Sequence, residues 1–192
     1  MGKITIMSAL RNNYKIERMM IESVIKNIPT DQYDKFILVD DCSNNKKTIE
    51  FLDYLNENYE NIQVVKAGKP TKWSYYNKYS RGPEKLSEVL GKDTECSIGH
   101  GQSINLGLKE VNTEYVLVLD SDTMILPKAK DLIPKMIECM KLDDKIIAVG
   151  QVAGKIDGVK ICTKKWNSET ISTLKSCGMP HASLVLCNMK SW

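Results

Sequence analysis

The run Tyr115-Val116-Leu117-Val118-Leu119 leads straight into Asp120-Ser121-Asp122 and then Thr123-Met124-Ile125-Leu126-Pro127. A continuous apolar run suits a central strand of a parallel sheet, covered on both faces. Its abrupt end in charge falls where open α/β sheets bind ligands. Two carboxylates at i and i+2 can reach one crevice, one of them through a metal ion. Oxygen ligands of that kind suit Mg²⁺ or Mn²⁺, which also bind substrate phosphates. A second run, Phe36-Ile37-Leu38-Val39, meets Asp40-Asp41-Cys42-Ser43-Asn44 in the same manner. Either acidic turn alone is explained by Asp, Ser and Asn acting as caps and turn formers. Two such strand ends in this order weaken that explanation.

The elements around these runs alternate. Lys3 to Leu10 reads as a first strand, followed by the polar turn Arg11-Asn12-Asn13. A helix is expected from Tyr14 to Asn27, with Ile16, Met20 and Val24 on its inner stripe, ended by Pro29. Then come strand 36–39, a helix over 46–55 carrying Ile49, Leu52 and Leu55, and a strand over 62–65. A helix over 101–110 has Ile104, Leu108 and Val111 inward, and one over 127–140 has Ile133, Met136, Ile137 and Met140 inward. Strand 146–149, a hairpin over 152–163 turning at Asp157-Gly158, and a last strand over 182–187 complete the series. Strands alternating with helices imply right-handed crossovers and a mostly parallel sheet. No G-x-G-x-x-G or Walker loop follows the first strand, so a dinucleotide or P-loop site is not expected.

Between Ala67 and Ser97 the pattern breaks down, with Trp73, Tyr75, Tyr76 and Tyr79 set among Lys72, Lys78, Arg81 and Lys85. Loops this long are often functional. Aromatic faces pack on sugar rings and cations attract diphosphate, so the segment reads as an inserted loop that either lids a ligand or packs on the domain. Pro83 to Leu90 is expected as a short helix within it.

With 192 residues the chain suits one well-buried domain. A net charge of +3 gives no electrostatic case for nucleic acid. The six cysteines contain no C-x-x-C pair, which argues against a zinc site or disulfide framework and for a reducing compartment. No run approaches the ~18 apolar residues of a membrane span. A cytoplasmic protein is expected, with peripheral membrane contact left open.

The series Ile4-Thr5-Ile6-Met7-Ser8-Ala9, Ile37 to Ser43, Gly99-His100-Gly101-Gln102-Ser103-Ile104-Asn105-Leu106-Gly107-Leu108 and Tyr115 to Asp122 resembles the family 2 glycosyltransferases with a GT-A fold. The resemblance covers about residues 3 to 150. It implies a Rossmann-like α/β/α sandwich, with residues 1–125 the nucleotide-sugar half, 126–192 the start of an acceptor half and 67–97 an insertion. It further implies a metal-dependent transfer, with inversion, from a nucleotide-diphospho-sugar, a UDP-sugar by preference, to a hydroxyl of a glycan, lipid-linked or protein acceptor. By the same resemblance Asp41 bonds the uracil N–H, Asp40 supports the turn, and Ala9, Arg11, Ser43, His100, Asn105, Asp120 and Ser121 line the nucleotide. Gly107 helps shape the helix near the diphosphate, and Asp122 binds Mn²⁺ or Mg²⁺ with Asp120 beside it. His181 is a third ligand, an acceptor-site group or an ordinary loop histidine, and His100 a phosphate contact or a turn residue.

The family's catalytic base lies beyond the Asp-x-Asp strand. Here only Asp131, Glu138, Asp143, Asp144, Asp157 and Glu169 follow, none in a convincing context, so the base is unassigned and the chain reads as either truncated or minimal. A nucleotide-sugar-binding protein without turnover is one alternative. A haloacid-dehalogenase-type phosphatase is a more remote one, since its nucleophile motif belongs on the first strand and three strands precede Asp120 here.

Overall fold

The computed structural model describes residues 3–68, 100–151, 159–163 and 183–191. The segment 69–97 with its aromatics and the short helix expected there, the expected turn at Asp157-Gly158, Glu169 and His181 lie outside them. The elements are β1 (Ile4–Leu10), α1 (Tyr14–Asn27), β2 (Tyr33–Asp40), α2 (Lys46–Asn58), β3 (Ile62–Lys66), α3 (His100–Leu108), β4 (Tyr115–Leu119), a 3₁₀ turn (Pro127–Asp131), α4 (Leu132–Met140), β5 (Ile146–Gln151), β6 (Val159–Thr163) and β7 (Leu184–Asn188). In one part of the chain the strand order is β1-β4-β7-β5-β6, and in the other β3 lies beside β2.

Two compact units divide these elements. The first comprises Met1–Ser8, Lys15–Phe36 and Val111–Trp192. Within it β1 pairs parallel with β4, placing Ser8 opposite Leu119. The last strand, β7, inserts antiparallel between β4 and β5, and β5 pairs antiparallel with β6 as a hairpin requires. Hence β1, β4 and β5 point one way and β7 and β6 the other.

The apolar runs are buried as their sequence demands: Val116, Leu117 and Leu119 of β4 and Ile4, Ile6 and Met7 of β1 are inaccessible. On α4 all four residues of the apolar stripe are buried. On α1 the stripe is rotated from expectation. Met20, Ile21 and Val24 are buried together with Glu17 and Ser23, while Ile16 stays 42% exposed. The covered face begins at Glu17 and continues through Met20, Ile21 and Val24, so Ile16 falls at its margin.

The second unit comprises Ala9–Tyr14 and Ile37–Glu110. Ile37, Leu38 and Val39 are fully buried, each contributing about 1.5–3 kcal/mol of apolar burial. Asn45 caps α2, its side chain accepting from the Lys47 amide at 3.0 Å. Leu52 and Leu55 are buried as expected, and Tyr14 meets Phe51 edge-on. On α3 the inward residues are Ser103 and Gly107, whereas Ile104 and Leu108 are half-buried. Small residues permit close approach of a helix backbone, and that outweighs the apolar stripe in this nine-residue helix. Along β3, the Ile62 amide donates to the Tyr59 carbonyl at 3.1 Å and the Val64 amide to Asn56 Oδ1 at 2.9 Å.

Candidate functional site

In the second unit the Asp40-Asp41-Cys42-Ser43 turn is over-determined by hydrogen bonds. The Asp41 amide donates to the Leu10 carbonyl at 2.9 Å, and the Ala67 amide to the Asp40 carbonyl at 2.9 Å. The Ser43 amide donates to Asp40 Oδ1 at 3.0 Å, so Asp40 does support the turn as read from the sequence. Cys42 takes a left-handed backbone (φ 57°), and its thiol donates to the Gly68 carbonyl at 3.1 Å. Both carboxylates are 6% exposed.

The loop after β1 reaches the same turn. Asn12, also left-handed at φ 57°, donates its amide to Ser43 Oγ at 3.1 Å. Its side-chain oxygen accepts from the Asn44 and Asn45 amides at 2.7 and 2.9 Å. Sequence reasoning passed over Asn12 as a turn residue; its only local signal is that Asn tolerates the left-handed region better than most side chains. Beside this turn lies a cavity of about 310 Å³ lined by Asp40, Cys42, Ser43, Ile49, Lys66, Ala67 and Gly68. The charge of Lys66 at its wall is met by Asp53 at 2.7 Å. Ala9 is buried at the end of β1 and Arg11 half-buried after it. His100 and Asn105 stand exposed on α3, and Gly107 is buried there.

In the first unit β4 delivers Asp120, Ser121 and Asp122 to a tight turn. The Thr123 amide donates to the Asp120 carbonyl at 3.0 Å. Ser183, just before β7, anchors this turn: its carbonyl accepts from the Asp120 amide at 3.1 Å and from the Thr123 hydroxyl at 2.8 Å. Nothing in the local sequence announces that contact across 60 residues. Asp120 and Ser121 are half-buried and Asp122 is exposed.

The segment beyond is clamped to α1. Ser23 Oγ, while donating to the Met20 carbonyl at 2.7 Å, accepts from the Ile125 amide at 2.9 Å. Asn27 Nδ2 donates to the Ile125 carbonyl at 2.6 Å, and Gln32 Nε2 to the Lys130 carbonyl at 2.9 Å. Ile125 is thereby buried between exposed Met124 and Leu126.

Among the described residues no group of three or more His, Cys, Asp or Glu could hold a metal by itself. Two carboxylates in one turn nonetheless fit Mg²⁺ or Mn²⁺, which are commonly held by one or two carboxylates plus substrate phosphates. The donor set suits a cation that arrives with a diphosphate rather than a permanent protein cage. Of the acidic residues considered as base, Asp131, Glu138, Asp143 and Asp144 are exposed. Asp143 accepts from the Lys145 amide at 2.9 Å, and chiefly for that reason its carboxyl is held below the ordinary value.

The profile described as "Glycosyl transferase family 2" matches residues 91–186, half of the chain. Compared by sequence with curated proteins, the chain matches none. Among solved structures it is similar to the mannosyltransferase PcManGT from Pyrobaculum calidifontis, in complex with GDP-Man and Mn²⁺, at TM-score 0.59 and 14% identity, covering 98% of this chain and 45% of that one. It is also similar to residues 1–349 of S. aureus TarS, at TM-score 0.53 and 19% identity, covering 96% of this chain and 47% of that one. The chain thus spans under half the length of these two structures, and the likeness shows a shared GT-A fold. Among the described residues no helix is long and apolar enough to cross a membrane.

Proposed function

Because the chain belongs to glycosyl transferase family 2, we propose that it moves a sugar from a UDP-sugar donor to an acceptor hydroxyl, with inversion and with a divalent cation. The observation that carries this reading is the Asp120-Ser121-Asp122 turn at the end of a buried strand, held in shape by Ser183 and Thr123. The GDP-Man and Mn²⁺ in the Pyrobaculum structure support a nucleotide-sugar donor and a divalent ion. Family membership also removes the phosphatase alternative. A glycan, lipid-linked or protein acceptor fits equally. A cytoplasmic setting belongs to the same reading, supported by six cysteines with no C-x-x-C pair among them.

In this reading Asp122 would hold Mn²⁺ or Mg²⁺ with Asp120 beside it, and an ion held there would offset charge on the departing diphosphate. The acceptor oxygen displaces UDP at the anomeric carbon: a carbon–oxygen bond forms to the acceptor as the bond to the diphosphate breaks. The acceptor's proton passes to a base that none of the described acidic residues is assigned to supply. Buried Asp41, in a turn already fixed by its neighbours, accepts the N3–H of uracil. Ala9, Arg11, Ser43, His100, Asn105 and Ser121 contribute to holding the nucleotide, and 126–192 begins the acceptor half of a single GT-A domain.

Calorimetry with UDP, with and without Mn²⁺, tests the reading. Binding that strengthens severalfold with the metal is expected, and equal affinity in both conditions would overturn it. GDP binding more tightly than UDP would move the donor base from uracil to guanine.

A further inference from the structure

Ser43 carries an orientation that the donor reading leaves unused. Its oxygen already accepts the Asn12 amide at 3.1 Å, and its own amide is fixed on Asp40 Oδ1 at 3.0 Å. A hydroxyl has one hydrogen to give, so with an acceptor position taken by Asn12 that hydrogen turns toward some other acceptor. Ser43 also lines the cavity of about 310 Å³.

The turn keeps this arrangement through Asn12. Its side-chain oxygen gathers the two amides that follow Ser43, at 2.7 and 2.9 Å, and its left-handed backbone (φ 57°) aims them there. Asn, Asp and Gly adopt that backbone readily, and of these only Asn and Asp offer the acceptor. Asn45 returns a long contact from its side-chain amide to the Asn12 carbonyl at 3.5 Å while capping α2. One side chain therefore ties the loop after β1 to the turn, to the cavity wall and to the start of a helix.

We infer that Asn12 is a positioning residue for the nucleotide: it holds the Asp40–Asn45 turn so that the Ser43 hydroxyl donates a hydrogen bond to an acceptor atom of a nucleoside in the cavity. The inference rests on the donor-site reading above and adds a residue and a bond direction to it. A carbonyl of a pyrimidine or a ribose oxygen is the class of group that would receive the hydrogen.

Three variants test it. Asn12→Gly keeps the backbone and removes the acceptor, Asn12→Asp keeps both, and Ser43→Ala removes the donor. In the free protein, amide exchange at Asn44 and Asn45 should quicken about tenfold or more in Asn12→Gly and stay near the parent rate in Asn12→Asp. Unchanged exchange in Asn12→Gly overturns the assignment of Asn12 whatever the nucleotide does. In calorimetry, UDP affinity should fall about tenfold in Asn12→Gly and in Ser43→Ala, and recover in Asn12→Asp. The double variant Asn12→Gly/Ser43→Ala should lose little more than either alone, since one effect acts through the other. Full additivity overturns the positioning role and leaves Asn12 a stability residue. A parent that binds no nucleoside diphosphate, with the exchange pattern intact, overturns instead the donor reading and the bond given to Ser43.

Discussion

Ser8 and Ser23 are both buried serines, at 0% and 8% exposure, yet truncation to alanine should destabilise the protein only at Ser23. The Ser23 hydroxyl joins the Met20 carbonyl to the Ile125 amide at 2.7 and 2.9 Å. In Ser23→Ala the Ile125 amide, on a residue only 3% exposed, loses its acceptor. An orphaned buried donor costs about 1–3 kcal/mol. The better helix propensity of alanine returns about 0.5 kcal/mol, which leaves a net loss of ~0.5–2.5 kcal/mol. Among the described residues the Ser8 hydroxyl has no hydrogen-bond partner, so its burial is already a cost in the native state. Removing it should be neutral or stabilise by up to ~2 kcal/mol. Urea unfolding followed by circular dichroism gives both values from midpoint shifts at constant slope. In a thermal scan each kcal/mol should appear as about 2–4 °C for a chain of this size. A Ser8→Ala variant losing as much as Ser23→Ala would refute the reasoning, because the two differ in bonding rather than in burial.

Asp122→Asn should abolish the metal-dependent part of UDP binding, measured by calorimetry with Mn²⁺, while the urea midpoint stays within ~0.5 kcal/mol of the parent, as expected for an exposed residue. If Asp41 accepts uracil N3–H, CDP should bind ~10- to 100-fold more weakly than UDP, since a buried mismatch costs ~1–3 kcal/mol; effective competition by CDP at equal concentration would remove that role. Thr123→Val deletes the 2.8 Å bond to the Ser183 carbonyl and should cost ~0.5–1.5 kcal/mol of stability. It should also weaken Mn²⁺-dependent UDP binding severalfold, and unchanged metal dependence would mean the Asp-Ser-Asp turn holds its shape without that anchor.

What could be read from sequence was local. An apolar run has one way to be buried and a charged end has one way to stay wet, so β2 and β4 and the acids that close them were visible, as were α1 over Tyr14–Asn27 and the whole inner stripe of α4. The position of β7 between β4 and β5 was not visible, because a short strand's pattern says which face is covered and nothing about which strand lies beside it. The orientation of α3 was missed for a related reason: close packing chose Ser103 and Gly107, and hydropathy ranks neither above Ile104. At the candidate site the acids declared themselves, but their supports did not. Asn12, Ser23 and Ser183 act through hydrogen bonds that reach residues 31, 102 and 60 positions away, and no periodicity records such a contact.

Two amides of β3, those of Ile62 and Val64, bear on how this protein behaves when crowded. A strand at the rim of a sheet is a template, and any extended segment with free carbonyls can extend it. Here the Ile62 and Val64 amides are occupied by Tyr59 and Asn56 of the chain's own preceding helix end, so the first part of the rim is covered by residues that also shape the fold. Solubility on that side thus depends on a polar side chain of middling size. An Asn56→Val change, conservative in volume, would free one amide for a second molecule and turn a quiet margin into a nucleus for concentration-dependent self-association.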